Sequence, residues 1–342
     1  MSETISKINK EENPQANKPW VSILVPVYKV ENYIERCTRS VFEQTYPNIE
    51  YIFVDDCTPD RSIEVLERVM KDYPERAKHV KIVHFEKNKG VAVVRNTLVT
   101  HCQTDWLMFL DSDDSLEISI IEKMIAFQQQ TQADIITSDF LEQFHDIEKP
   151  ISAFESDSKE EFILDVIRFT ESHYLWGKLI RTSLFRDNDV LTLEGINIGE
   201  DWQMVVKLFY YANKICPLHE QSVFYTRSRV GSLTYYTQDV EEAHFRKYSS
   251  DVIKSLHEIE SFLSDKNPAY MKELQKTIFD RLTYYMAFSA MCGFKDYHKE
   301  LTKASNLIVK QNPYVLEGKT ETLKYYLKTN YFVYRRFLAH VS

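Results

Sequence analysis

Between Trp20 and Phe140, short apolar runs alternate with amphipathic segments. WVSILVPVYK (20–29), IEYIFV (49–54), VKIVHF (80–85), DWLMFL (105–110) and ADIITSDF (133–140) are near-continuous apolar stretches rich in β-branched and aromatic residues. Such runs predict strands buried on both faces. Between them, segments 31–45, 61–73, 90–102 and 117–132 show helical spacing, as in Ile63, Val65, Leu66, Val69 and Met70. Strand and helix in alternation predict an α/β fold, a mostly parallel sheet with helices on both faces.

Past residue 141 the rhythm changes. Segment 158–187 reads as helical, a loop carries LTLEGINIG, a helix starts near Glu200, and SVFYTRSR (222–229) reads as one more strand. From about Val240 onward only helical spacing remains, with many aromatics and Lys/Arg and a break at Pro268. These shifts predict a polar, disordered lead-in over 1–19, an α/β domain over 20–236, and an all-helical region over 237–342.

Composition narrows the function classes. Of 342 residues 44% are hydrophobic, enough for a sizeable core, and the net charge is −9. The first two thirds carry no long basic stripe, so nucleic acid is not expected as a partner. The five cysteines are scattered without a C-x-x-C pair, which suggests reduced thiols in a cytoplasmic protein and no zinc site. The polar start lacks the apolar core of a signal peptide. No run approaches the roughly 18 apolar residues of a membrane span.

Open parallel sheets bind ligands beyond the carboxyl ends of their strands. Two acidic clusters converge there, Asp55-Asp56 and Asp111-Ser112-Asp113-Asp114. Asp114 or Ser115 could cap the helix that starts near Glu117. That leaves Asp111 and the second cluster without an explanation. Crowded carboxylates repel unless a cation offsets them. An Asp-x-Asp pair offers oxygen ligands to Mg²⁺ or Mn²⁺, which also bind substrate phosphates. A nucleotide diphosphate is the substrate such a rim would hold.

The segment from Val21 to Ser62, then NKGVAVVRN (88–96) and WLMFLDSDDSLE (106–117), resemble the family 2 glycosyltransferases of the GT-A fold, in order and spacing over roughly residues 20–232. The resemblance implies an inverting, metal-dependent transfer of a single sugar from a nucleotide-sugar, a UDP-sugar by expectation. The acceptor would be a glycan or lipid-linked glycan in cell-surface polysaccharide synthesis. It implies that Pro26, Val27 and Tyr28 cradle the nucleoside with Glu31 just beyond, that Asp56 reads the uracil edge, and that Gly90 lies against the base. A carboxylate suits the uracil N3–H, which is a donor. A helix-entry role is the alternative for Gly90. Arg95 matches the family's Arg-Asn position, facing phosphate or pairing with a rim carboxylate. Asp111 would face the ribose beside Ser112, and Asp113 would ligate the divalent cation, Mn²⁺ or Mg²⁺, of a DXD motif.

By the same resemblance the Glu200-Asp201 pair of GINIGEDWQMVVKLF supplies the general base, Asp201. A helix cap is the alternative, since Gly-Glu-Asp also starts a helix well. HYLWGKLIRTSLF (173–185) resembles the acceptor-side segment. Trp176 would stack on an acceptor sugar and Lys178 would hydrogen-bond it, with Glu200 and Trp202 beside them; a core position is the alternative for Trp176. No Q-x-x-R-W of processive synthases is present.

Two other readings remain. One is a non-catalytic nucleotide- or carbohydrate-binding protein of the same fold. The other is a receiver-type signalling domain, with Asp111 as phosphoacceptor and Lys149-Pro150 as its Lys-Pro, although too few elements separate the two. In the tail 319–342, aromatics stand beside Lys/Arg at helical spacing. Packing on segment 240–312 or on a second subunit is favoured there, because short amphipathic helices mostly serve as core. The alternative is peripheral contact with the inner membrane face.

Overall fold

The computed structural model describes residues 20–144, 147–170, 173–227 and 240–317, with Tyr325, Lys328 and Thr329 of the tail. The lead-in 1–19 lies outside the described residues. Among the described residues nine strands form one sheet. Strands β1 (Val21–Val27), β2 (Ile49–Asp55), β3 (Val80–His84) and β4 (Trp106–Phe109) lie parallel in the order β3-β2-β1-β4. Helices α1 (Ile34–Phe42), α2 (Ser62–Met70), α3 (Pro74–Ala77) and α4 (Val91–His101) connect them.

The second half of the sheet is mixed rather than parallel. β8 (Lys178–Arg181) runs antiparallel to both β4 and β6 (Ile135–Phe144), and sits between them. β9 (Ile215–Thr226) runs parallel to β6, and the two-residue β5 (Ser115–Leu116) antiparallel to β9. The expected helix over 158–187 is therefore a correction. α6 (Lys159–Ile167) stops early, β8 follows, and α7 (Ser183–Asp187) is short. Leu179 and Ile180 are both fully buried. A strand wedged between two others buries both faces, so KLIR loses the alternation that would have marked it. β7 (Ile147–Ile151) is an antiparallel partner of β6, and Lys149 and Pro150 pair with Glu142 and Leu141. They stand away from β4, which removes the receiver reading.

Successive residues of β1 feed two cores. Val21, Ile23, Val25 and Val27 face α1, α2 and α5 (Ile120–Thr131). Leu24 faces the opposite layer, with α4, α6 and α8 (Glu200–Tyr211). That second core runs on without a break into α9 (Glu242–Leu263), α10 (Pro268–Cys292) and α11 (Lys295–Gln311), through Phe245, Val252, Leu256, Leu274 and Tyr285. Each fully buried side chain of this size contributes about 1.5–3 kcal/mol. The break expected at Pro268 is the start of α10, where Asn267 caps Ala269 N at 2.9 Å.

Among the described residues no helix is long and apolar enough to cross a membrane. Most of the tail stretch 319–342 lies outside the described residues. Tyr325 is buried, its ring 5.2 Å from that of Phe279.

Candidate active site

Parallel register brings the two acidic clusters together. Val27 pairs with Asp55 and Leu24 with Phe109, so the ends of β1, β2 and β4 open on one rim. Both turns there need backbone that non-glycine residues rarely adopt, with Lys29 and Cys57 each at φ +54°. Side chains stitch the turns. Lys29 N donates to Thr58 Oγ1 at 2.8 Å, Glu31 N to Asp60 Oδ2 at 3.1 Å, and Arg61 N to Glu31 Oε2 at 3.1 Å. Tyr28 stands exposed on the rim. Val27 does not: its side chain is buried and its carbonyl accepts from Asp56 N at 3.1 Å. Val27 can therefore line the nucleoside side of the rim only through its backbone.

Asp56 receives Lys89 N at 2.6 Å and Gly90 N at 3.0 Å. Burial raises its carboxyl, and these two N–H groups hold the rise back. Gly90 has φ +86° and ψ 158°, a region open essentially to glycine alone. A Cβ there would lie 2.7 Å from Asn197 Oδ1. Gly90 thus serves both helix entry and close approach.

The β4 turn answers why three carboxylates follow an apolar strand. Asp111 and Asp113 are half-buried, while Asp114 is fully buried. Asp114 does not cap a helix. Its Oδ1 accepts from Thr226 N at 2.7 Å, tying the turn to the end of β9, and its Oδ2 has no partner. Burial first, then Asp113 and Asp111, push its carboxyl well above the usual range. Arg36 reaches the same place, with Nη2 2.7 Å from Asp113 O and 2.6 Å from Thr226 Oγ1. Ser112 is buried within the turn.

Arg95 joins this rim to the acidic pair of α8. Its Nη2 is 3.3 Å from Asp111 Oδ1 and its Nε 3.3 Å from Glu200 Oε1. Burial works against the guanidinium charge, but Glu200, Asp111 and Asp201 outweigh it and raise its pKa. Burial also pushes Glu200 up to about 8, opposed by Arg95 and helped by Asp201. Asp201 is half-buried, and its Oδ1 accepts from Trp202 N at 2.8 Å.

The segment 173–178 lies beside the pair. Trp176 makes an isolated parallel bridge to Phe109 and stacks on Tyr174 with ring centroids 4.5 Å apart. Phe140 and Tyr225 close around it, at 4.7 and 5.1 Å. Lys178 is buried below, donating to Tyr174 O at 2.6 Å. Burial brings its amine down to about 7, although Asp201 and Asp165 pull the other way. Trp202 requires correction as an acceptor contact. It is 0% exposed and its indole N–H donates to Val166 O at 2.7 Å, so it belongs to the core. Residue-type reasoning gave Tyr174, Tyr225 and His173 no role and offered Asp114 only as a helix cap. Burial lowers the His173 imidazole against the pull of Asp201. Only the Asp-Asp doubling at 113–114 was visible in advance.

Residues 22–180 match the family described as Glycosyl transferase family 2. The uncharacterized glycosyltransferase EpsJ of Bacillus subtilis is 28% identical over 320 residues, covering 85% of this chain and 91% of EpsJ. The poly(ribitol-phosphate) beta-N-acetylglucosaminyltransferase TarS of Staphylococcus aureus is 24% identical over 277 residues, 80% of this chain but only 45% of TarS. The crystal structure of TarS 1-349 in complex with UDP-GlcNAc matches with a TM-score of 0.58 at 20% identity, over 94% of this chain and 92% of that one. Mannosyltransferase PcManGT of Pyrobaculum calidifontis, in complex with GDP-Man and Mn²⁺, matches with a TM-score of 0.54 at 11% identity, over 94% and 87%. Matched segment, fold and relatives agree: residues 22–180 are a family 2 glycosyltransferase domain, on a GT-A fold shared with TarS 1-349.

Proposed function

We propose that this enzyme moves one sugar at a time from a UDP-sugar to a hydroxyl of a glycan acceptor in cell-surface polysaccharide synthesis, with inversion at the anomeric carbon. Residues 20–236 would form the transferase domain and 237–342 its helical extension. The observation that carries the reading is Arg95, which bridges Asp111 on the donor rim and Glu200 of the acidic pair, 3.3 Å from each. Donor and acceptor sides thereby share one site.

In this reading Asp56 keeps lone pairs for the uracil N3–H beyond the two N–H groups it already accepts. Tyr28, Pro26 and Gly90 flank the base, and Asp111 takes a ribose hydroxyl. The acceptor oxygen attacks the anomeric carbon while its proton passes to the Asp201 carboxylate. The bond from that carbon to the diphosphate breaks, and its electron pair leaves with UDP. Tyr174, half-buried and stacked on the buried Trp176, offers the acceptor an aromatic edge.

Among the described residues no three His, Cys, Asp or Glu side chains are grouped to hold a metal between them. Mg²⁺ and Mn²⁺ commonly take one or two carboxylates and complete their shell with phosphate and water. The turn carrying Asp111, Asp113 and the partnerless Oδ2 of Asp114 suits such a cation, with Asp113 as the ligand. When bound, the cation would offset charge on the departing diphosphate. The UDP-GlcNAc held by TarS 1-349 supports a uridine donor, and the Mn²⁺ held by PcManGT supports the cation.

Calorimetry of UDP with Mn²⁺ tests the donor side, and Mn²⁺-dependent turnover of a panel of UDP-sugars tests the reaction. Asp113→Ala is expected to abolish the Mn²⁺-dependent part of UDP binding without changing Tm. Unchanged affinity would remove Asp113 as ligand. Absence of turnover with every sugar nucleotide, despite tight UDP binding, would favour a binding protein.

A further inference from the structure

Segment 190–199, which carries the approach to the acidic pair, has neither helix nor strand of its own. Its backbone polar groups must therefore find side chains or water. On one side it meets α4, where Asn96 and Thr192 exchange two bonds of 3.0 Å. On the other side it meets α9. Lys247 Nζ donates to Gly195 O at 3.2 Å, Asp251 Oδ2 accepts from Asn197 N at 3.0 Å, and Ser255 Oγ lies 3.0 Å from Ile198 O. These residues are spaced i, i+4, i+8 and form one face of the helix. That single face reads three backbone groups within 195–198.

The contacts are costly to build, which argues against incidental packing. Asp251 is 1% exposed and Ser255 0%. A buried carboxylate needs several partners to offset its desolvation. Asp251 finds Lys247 Nζ at 2.6 and 2.7 Å besides Asn197 N. Ser255 Oγ has one hydrogen to divide between Ile198 O and Asp251 O, and accepts from Gln203 Nε2 at 3.0 Å. Apolar residues of α9, such as Phe245, Val252 and Leu256, already anchor the helix in the core. Cohesion alone therefore does not require the polar face.

What that face touches is the site. Gly199 has φ +85°, and a Cβ there would lie 2.8 Å from Ser255 Oγ and 2.9 Å from Ser255 Cβ. The next two residues are Glu200 and Asp201. Two residues earlier, the Asn197 side chain abuts Gly90, whose N–H is held by Asp56. The stretch 195–199 thus joins α9, the donor rim and the acidic pair.

We infer that Asp251 and Ser255 are positioning residues for the acidic pair, holding segment 195–199 so that the Asp201 carboxylate keeps a fixed relation to the donor at Gly90. The inference rests on the reading of Asp201 as the base. It gives the helical region a part in the chemistry without contact with either substrate.

The test is a double-mutant cycle on the full chain. Turnover is measured with the UDP-sugar that wild type uses fastest, UDP affinity by calorimetry with Mn²⁺, and folding by Tm. Asp251→Ala is expected to lower kcat by about 10-fold or more, since small displacements of a base are expensive, with UDP affinity within about 2-fold of wild type. Asp251→Asn keeps an oxygen for Asn197 N and recovers most of the loss. In an Asp201→Asn background, adding Asp251→Ala changes turnover by less than about 2-fold, because coupled residues are not additive. A normal kcat per folded molecule in Asp251→Ala overturns the inference, as does an equal loss in both backgrounds. If Asp251→Ala does not fold, Ser255→Ala, which loses a single hydroxyl, carries the same criteria. If Asp201→Asn alone keeps full turnover, the base reading fails by itself. The Asp251→Ala and Asp251→Asn pair then decides whether α9 governs turnover at all.

Discussion

Asp56 at the end of β2 and Lys178 at the start of β8 are equally buried, 3% and 4% exposed, yet the protein treats them differently. Asp56 receives two backbone N–H groups from the turn next to it, which counter the rise that burial imposes. Lys178 has one carbonyl from Tyr174, and burial takes its amine down to about 7. The contrast extends to their halves of the sheet. On the parallel side Asp55, Asp56 and Asp60 are closed by nearby turn groups. On the mixed side Asp114 answers to Thr226, Glu200 to Arg95 and Lys178 to Tyr174, and all three shift strongly. Number of partners, more than burial, separates the two. Shifted groups gathered in one place are also what a catalytic centre requires.

The largest effect on this contrast is expected from Asp201→Asn, which keeps shape but cannot take a proton. Turnover should fall by roughly 10²–10⁴-fold while UDP affinity in calorimetry stays near wild type. Wild-type turnover would reduce Asp201 to a helix-start residue.

Next comes Asp114→Ala, which leaves Thr226 N without its acceptor and should cost about 1–3 kcal/mol in urea midpoints. Asp114→Asn keeps an acceptor oxygen and should cost clearly less. Equal losses would mean that the bond to Thr226 does not hold the turn.

Lys178→Met probes the buried amine through pH. The folded state releases its proton near pH 7, the unfolded chain near ~10.4. Between those values the unfolded state binds more protons, so wild-type stability rises with pH; below 7 both states are protonated and the slope vanishes. From pH 7 to 9 wild type should gain about 2 kcal/mol relative to Lys178→Met. A flat difference would show that the amine keeps its charge when buried.

The smallest effect belongs to the exposed surface of α1 and α2. Arg68→Ala breaks a solvent-exposed pair with Glu35, 2.6 Å apart. It should change stability by less than about 1 kcal/mol. A larger loss would show that the parallel half also relies on long-range charge.

The strands β1 to β4 and helices α1, α2, α4 and α5 were legible because each is a local statement. A short apolar run, ended by polar residues, does not depend on what covers it. β8 was not legible, since its burial comes from two strands far back in the chain, through Leu107 of β4 and Ile135 of β6. Trp202 misled for a similar reason. Beside an acidic pair an indole suits a sugar face, but helical geometry turns this one inward toward Val166 O.

By itself the sequence determined the alternation of strand and helix, the doubled acidic clusters at strand ends, and the glycines at positions 90 and 199, where φ is positive. These follow from steric and burial preferences that act between near neighbours in the chain. Only the tertiary structure decided that Asp114 faces Thr226 and that Arg95 reaches both Asp111 and Glu200. It also decided that one face of α9 grips segment 195–198. Such pairings depend on which side chains the packed core brings within about 3 Å, and hydrogen bonds and ion pairs at that range are set by the fold as a whole.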